Sequence, residues 1–108
     1  MTDREMLEFS AKAAGIDVRW YQGDCLRVAD KCNGFAGKWN PITDDGDALR
    51  LAVKLGIRVC PVTADGRNAY AAHDRLAGGV GEPHNGDPHA ATRRAIVRAA
   101  AEIGRRMK

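Results

Sequence analysis

Met6, Phe9, Ser10 and Ala13 recur at helical spacing behind Thr2 and Glu5, which stand three apart in the form of a capping box, and Gly15 closes the run. A first helix is therefore predicted from about Asp3 to Ala14. Ile16, Val18 and Trp20 then alternate with Asp17, Arg19 and Tyr21, the period-two pattern of a half-buried strand. Gly23-Asp24 supplies a turn, and Cys25-Leu26-Arg27-Val28-Ala29 alternates again, so the pair reads as a hairpin. Asp30 to Lys38, with Gly34 and Gly37, reads as an exposed loop. Ala48, Leu51, Ala52 and Leu55 share one face of a second helix, which Thr43 or Asp44 can cap and Gly56 stops.

Ile57 to Thr63 is strand-like, and Asp65-Gly66 is a hairpin signal before Arg67 to Ala72. Pro61 cannot donate to a ladder, so this strand is expected at a sheet edge or at a bulge. Leu76 to Asp87 holds Gly78, Gly79, Gly81, Pro83 and Gly86 and reads as a mobile surface loop without a regular element; residues 74–87 as a whole are expected to form it. Asp87 as cap and Pro88 at the first helical position open a last helix to about Arg106, with Ile96, Ala99, Ala100, Ile103 and Met107 on one stripe. The predicted order is α-β-β-α-β-β-α. It implies an α+β fold in one domain over residues 1–108, with helices packed on a mainly antiparallel four-stranded sheet. Periodicity leaves open whether helices cover one face or both, although Arg19, Tyr21 and Arg27 favour a solvated face.

Composition adds a limit on the core. The 108 residues are 44% hydrophobic but only 6% aromatic, so helices are expected to approach closely through alanines. The first residues lack a signal-peptide pattern, and no apolar run approaches the roughly 20 residues that span a bilayer. A cytoplasmic protein without a membrane partner is the expectation. Cys25, Cys32 and Cys60 are an odd number in such a chain and are expected to be reduced. From Pro88 onward six basic residues stand against one acid, a local +5 that leaves −2 for the rest of a chain whose total is +3.

Candidate chemistry is sparse. Asp44, Asp45 and Asp47 crowd a helix start, where they can hold a metal or a basic partner, or can cap the helix and complement its dipole at about 0.3 to 1 kcal/mol each. Their spacing is not that of a calcium loop. Trp39 before Asn40-Pro41 is either a contact residue or a staple of the helix start against the core. Arg94, Arg98 and Arg105 fall on one stripe of the last helix, widened by Arg93 and Arg106; the stripe is a solvated charged face, or a surface for nucleic acid or an acidic protein. No interleaved aromatics make it a platform for stacking bases. Cys25 and Cys32 have six residues between them, too many for the close pairs of a structural zinc site, and neither Cys60 nor His73, His84 and His89 complete one. Nothing marks a thiol as activated. Gly78-Gly79-Val80-Gly81 lacks the Gly-Lys-Ser/Thr ending of a phosphate loop. No catalytic residue, cofactor or metal is assigned.

Leu7 to Ile16, Trp39 to Gly56 and Asp87 to Ile103 resemble the phage ABA sandwich domain family of small phage and prophage proteins. The likeness covers the three helices and not Gly23 to Lys38 or Thr63 to Gly86. It implies an α/β/α sandwich, with helices on both faces of the sheet, and a phage or prophage origin; it carries over no catalytic residue. Short phage genes of this kind encode accessory proteins that bind host or phage machinery, including inhibitors of host defence such as CRISPR. The expected function is non-catalytic binding to a host protein or complex, through Trp39, Asp44, Asp45, Asp47, Arg93, Arg94, Arg98 and Arg105. Nucleic-acid binding by the basic helix is the alternative.

Overall fold

The structure is a computed structural model that describes residues 1–21, 25–28 and 37–107. Its elements are α1 (Asp3–Ala14), β1 (Val18–Tyr21), β2 (Cys25–Val28), α2 (Asp45–Leu55), β3 (Arg58–Cys60), β4 (Asn68–Ala72), β5 (Val80–Pro83) and α3 (Pro88–Arg106). The helix bounds follow their caps. The Thr2 side chain accepts from the Glu5 N–H while the Glu5 carboxylate accepts from the Thr2 N–H, which completes the capping box, and Gly15 closes α1 in the left-handed conformation. The backbone and then the hydroxyl of Thr2 hold the Glu5 carboxyl below the usual carboxylate range. That contribution is present above the ordinary glutamate range and is lost as pH falls through the lowered value. Asp44 and Gly56 bound α2, and Asp87 caps α3 with Pro88 behind it.

The strands form two antiparallel sheets, β1-β2 and β3-β4-β5, in place of the expected single four-stranded sheet. The added strand is β5, which lies in the glycine-rich segment read as a loop without regular structure. It pairs Ala71 with Val80 and Tyr70 with Gly81, so both edges of β4 are occupied and the first hairpin cannot join there. Glycine makes the strand possible. Gly79, at φ 69°, leaves no room for a Cβ beneath the Tyr70 ring and the Ala71 carbonyl, and the Tyr70 hydroxyl donates to the Gly78 carbonyl at 2.6 Å. β3 is an edge strand that stops before Pro61, as that proline requires.

The first hairpin instead leans on α1. Arg4 sits over the Trp20 ring at 4.0 Å, and the Trp20 indole donates to Glu8 at 3.2 Å. Beyond β2 the chain comes back alongside it, the Trp39 N–H donating to the Leu26 carbonyl. The turn read at Gly23-Asp24 and most of the loop read at Asp30 to Lys38, with Cys32, lie outside the described residues.

Helix α3 is the centre of the molecule. Ala69, Ala71 and Val80 turn one face of the three-stranded sheet onto it, while α1 and α2 pack on its other sides. Among the described residues, the opposite face of that sheet carries exposed Arg58, Cys60, Tyr70 and Gly81. The helices thus do not bracket the sheet in an α/β/α sandwich; the order of layers is sheet, α3, then α1 and α2. Such a position requires small side chains, and Ala91, Ala95, Ala99, Ala100, Ala101 and Gly104 are all buried. Met107, expected on the apolar stripe, caps α3 and is exposed. At Gly104 the backbones of the two long helices touch, because a Cβ there would collide with the Phe9 carbonyl.

Gly104→Ala should therefore cost about 1 to 3 kcal/mol by overpacking. Gly81→Ala, in the exposed face of β5 with nothing nearer than the Ala69 carbonyl at 4.0 Å, should change stability by less than about 0.5 kcal/mol. Urea titrations of the two variants read the difference.

Candidate functional site

The crowded start of α2 is a closed set of bonds. Asp44 accepts from the Asp47 N–H at 2.8 Å, and Asp47, at 7% exposure, accepts from the Asn40 N–H at 2.9 Å and from Arg50 at 2.7 Å. The Asn40 side chain in turn accepts from the Ile42 N–H. The turn through Pro41 is thus pinned from both ends, and Trp39, immediately before it, is wholly buried in the core. Burial leaves Trp39 in the staple role and removes it as a surface contact. Asp45 points away from this set and pairs with Arg93 at 2.6 Å, which joins the first turn of α2 to the second turn of α3.

The arginines of α3 also have partners. Arg93 Nε donates to the Ile42 carbonyl. Arg94 reaches Asp3 at 2.9 Å and Glu82 at 3.5 Å, Arg98 reaches Glu82 at 3.1 Å and donates to the Gly81 carbonyl, and Arg105 pairs with Glu102 at 2.8 Å. Glu82 lies between two guanidinium groups because Ala69, opposite it in the ladder, faces α3 and brings Glu82 to the same side. The stripe of positive charge is thereby a set of ties from α3 to α1, to β5 and along itself.

The remaining titratable groups are dispersed. The Cys60 thiol is exposed and donates to the Val62 carbonyl. His73 accepts the Arg75 N–H on Nδ1 and therefore donates from Nε2 to the Leu55 carbonyl at 2.9 Å, tying the end of α2 to the end of β4. His84 Nε2 lies 2.7 Å from the Pro61 carbonyl. Among the described residues, no three His, Cys, Asp or Glu side chains converge in a geometry that can hold a metal ion.

One surface feature was not singled out by sequence reasoning. A groove of about 600 Å³ opens between α2, β3 and the first half of α3. Ala48 and Leu49 form one wall, Val59, Pro61 and Val62 the other, and Thr92 and Ile96 the floor. Asp45, Arg93, Pro88 and His89 also line it. The volume falls within the range of ordinary ligand and side-chain pockets, and the lining is almost wholly apolar. Leu49 and Val62 of its walls are 63% and 56% exposed, and Val53, farther along α2, is 73% exposed. Leu49 and Val53 stand one turn apart, on the side of α2 away from the buried Ala48, Leu51 and Ala52. That second apolar face was the available signal, since a helix packed on one side alone has no use for it. Of the sequence candidates, Asp45 and Arg93 reach this groove, whereas Asp44, Asp47, Arg94, Arg98 and Arg105 do not line it.

The groove can receive apolar side chains, and three of its polar groups are already engaged: Arg93 with Asp45, and the Thr92 hydroxyl with the Pro88 carbonyl. Asp47→Ala strands the Asn40 N–H and should cost about 1 to 3 kcal/mol. Asp45→Ala removes the exposed partner of a largely buried Arg93, whose Nε keeps the Ile42 carbonyl, together with a first-turn acid of α2, and should cost about 1 kcal/mol, less than Asp47→Ala, as thermal or urea melts will read. No family model matches this chain, and neither a curated protein nor a solved structure is significantly similar to it.

Proposed function

We propose that this protein acts by binding another protein, without catalysis, and that the groove between α2, β3 and α3 is the surface it uses. The observation that carries the reading is that exposed Leu49 and Val62 stand on opposite walls of an apolar depression, with exposed Val53 one turn along α2 from Leu49, because a small soluble domain gains nothing from leaving large apolar side chains in water at such a place. Interface cores are apolar and depleted of charge, and their rims are polar. Here the Asp45–Arg93 pair and His89 stand at one end of an otherwise apolar lining.

The resemblance to small phage proteins gives this binder a setting: an accessory protein acting in the bacterial cytoplasm on a host protein or complex, with inhibition of an anti-phage defence such as CRISPR as the role proposed. Nucleic-acid binding through α3 has weaker support, since Arg93, Arg94, Arg98 and Arg105 each sit within ion-pair distance of a carboxylate. Phosphate contacts would have to displace those acids, and the resulting affinity would fall steeply with salt.

The test is capture from nuclease-treated host lysate by the tagged protein and by the variant Leu49→Glu, Val62→Glu. Both positions are exposed, so the melting temperature should stay within a few degrees of the parent. A host protein retained by the parent and lost from the variant is the expected outcome. Retention by both would sink the groove as the binding surface, and recovery that disappears with nuclease would favour the nucleic-acid reading.

A further inference from the structure

We infer that the groove takes an extended apolar segment of its partner, which adds as a strand to the free edge of β3. The inference rests on the groove being the protein-binding surface. It goes further in naming the conformation and side-chain pattern of what is bound.

The first argument is topological. β4 has neighbours on both sides, whereas β3 is paired on one side only, and no residue of β4 or β5 lines the groove. The groove therefore lies beyond the unpaired side of β3. Its other wall is α2, which runs out from the Gly56 turn while β3 runs back, so the two diverge over α3 and leave the space between them open. An edge strand presents unpaired backbone groups, and an incoming extended chain satisfies them.

The second argument is the alternation of side chains. Val59 faces α3, as does its ladder partner Ala71, and Pro61, two residues on, shares its parity; both line the groove. A chain paired with β3 would place every second side chain over the same floor, against Ile96 and Leu49. β-branched apolar residues at alternate positions fit that geometry. An amphipathic helix would bring apolar side chains at helical spacing and leave the β3 edge unanswered.

Pro61 sets the length. It has no N–H to donate, so pairing is confined to Arg58–Cys60, a ladder of three residues. Affinity then comes chiefly from side chains in the groove and orientation from the short ladder. His84 braces the Pro61 carbonyl at 2.7 Å and keeps the wall in position before anything binds.

The experiment is a heteronuclear NMR titration of the whole chain with three short synthetic probes: a peptide alternating valine and threonine with lysine at both ends, the same peptide N-methylated on alternate backbone nitrogens, and a helical peptide with a leucine stripe. An apolar fluorescent dye serves as the control for the groove itself. The expected result is that the first peptide shifts and protects the Val59 amide, which the ladder register turns away from β4, and moves the Leu49 and Ile96 methyl signals, and that methylation weakens it at least about tenfold. Equal binding of the methylated peptide, preference for the helical one, or failure of the first peptide where the dye still binds would each overturn the strand while sparing the groove. Concentration-dependent self-association that moves the same signals with no probe present would overturn it in favour of a second copy of this chain. If neither the dye nor any peptide perturbs the groove, the underlying reading fails as well.

Discussion

Where α1 crosses α3, the Phe9 carbonyl comes down on the backbone of Gly104, and no side chain larger than hydrogen fits between them. The rest of the packing follows from that approach. A helix in direct contact with another at one turn must keep small residues on the neighbouring turns, and Ala99, Ala100 and Ala101 are fully buried beside it. With so few large side chains, the core gains stability from closeness of packing rather than from bulk, and α3 can be enclosed by α1, α2 and the three-stranded sheet at once. Along the rest of its surface runs the stripe at Arg94, Arg98 and Arg105, where long side chains reach over their neighbours to Asp3, Glu82 and Glu102.

Charge in this molecule consequently does a structural job. The excess of basic residues after Pro88 and the acidic balance before it are two halves of one arrangement, since arginines of the last helix find carboxylates on α1, α2 and β5. Each exposed pair is worth little alone. Their common direction, from outer elements inward to α3, gives register more than energy. The apolar groove sits at the one place where α2 and β3 part company, and there the charged ties thin out to the Asp45–Arg93 pair.

Local signals were legible in the sequence, and relationships between distant segments were not. Thr2 with Glu5, Asp44 with Gly56, and Asp87 with Pro88 fix the helix ends because a cap is a bond between residues three or four apart. β5 escaped because its composition is that of a loop; the Tyr70 ring over Gly79 makes it a strand, and that contact spans nine positions of chain. The expected four-stranded sheet failed with it. Trp39 and Asp47 could be weighed but not assigned, since a staple and a contact residue look alike until burial is known. The groove escaped for a related reason: apolar residues such as Leu49 and Val53 are common on helices, and only their exposure among the described residues gives them meaning.

The central position of α3 also bears on when the fold can exist. Every layer is organised by the stretch from Pro88 to Arg106, which follows all the other described elements in the sequence. Until it is in place, the buried face of α1 and the inner face of the sheet lack their main partner, and the ties from Lys12 to the Met107 carbonyl and from Asp3 to Arg94 must bridge 95 and 91 positions. Such contacts bring no gain before the loop between them is closed. Without that stretch the hairpins and capped helices remain separate pieces, and the core and the groove form together once it is in place.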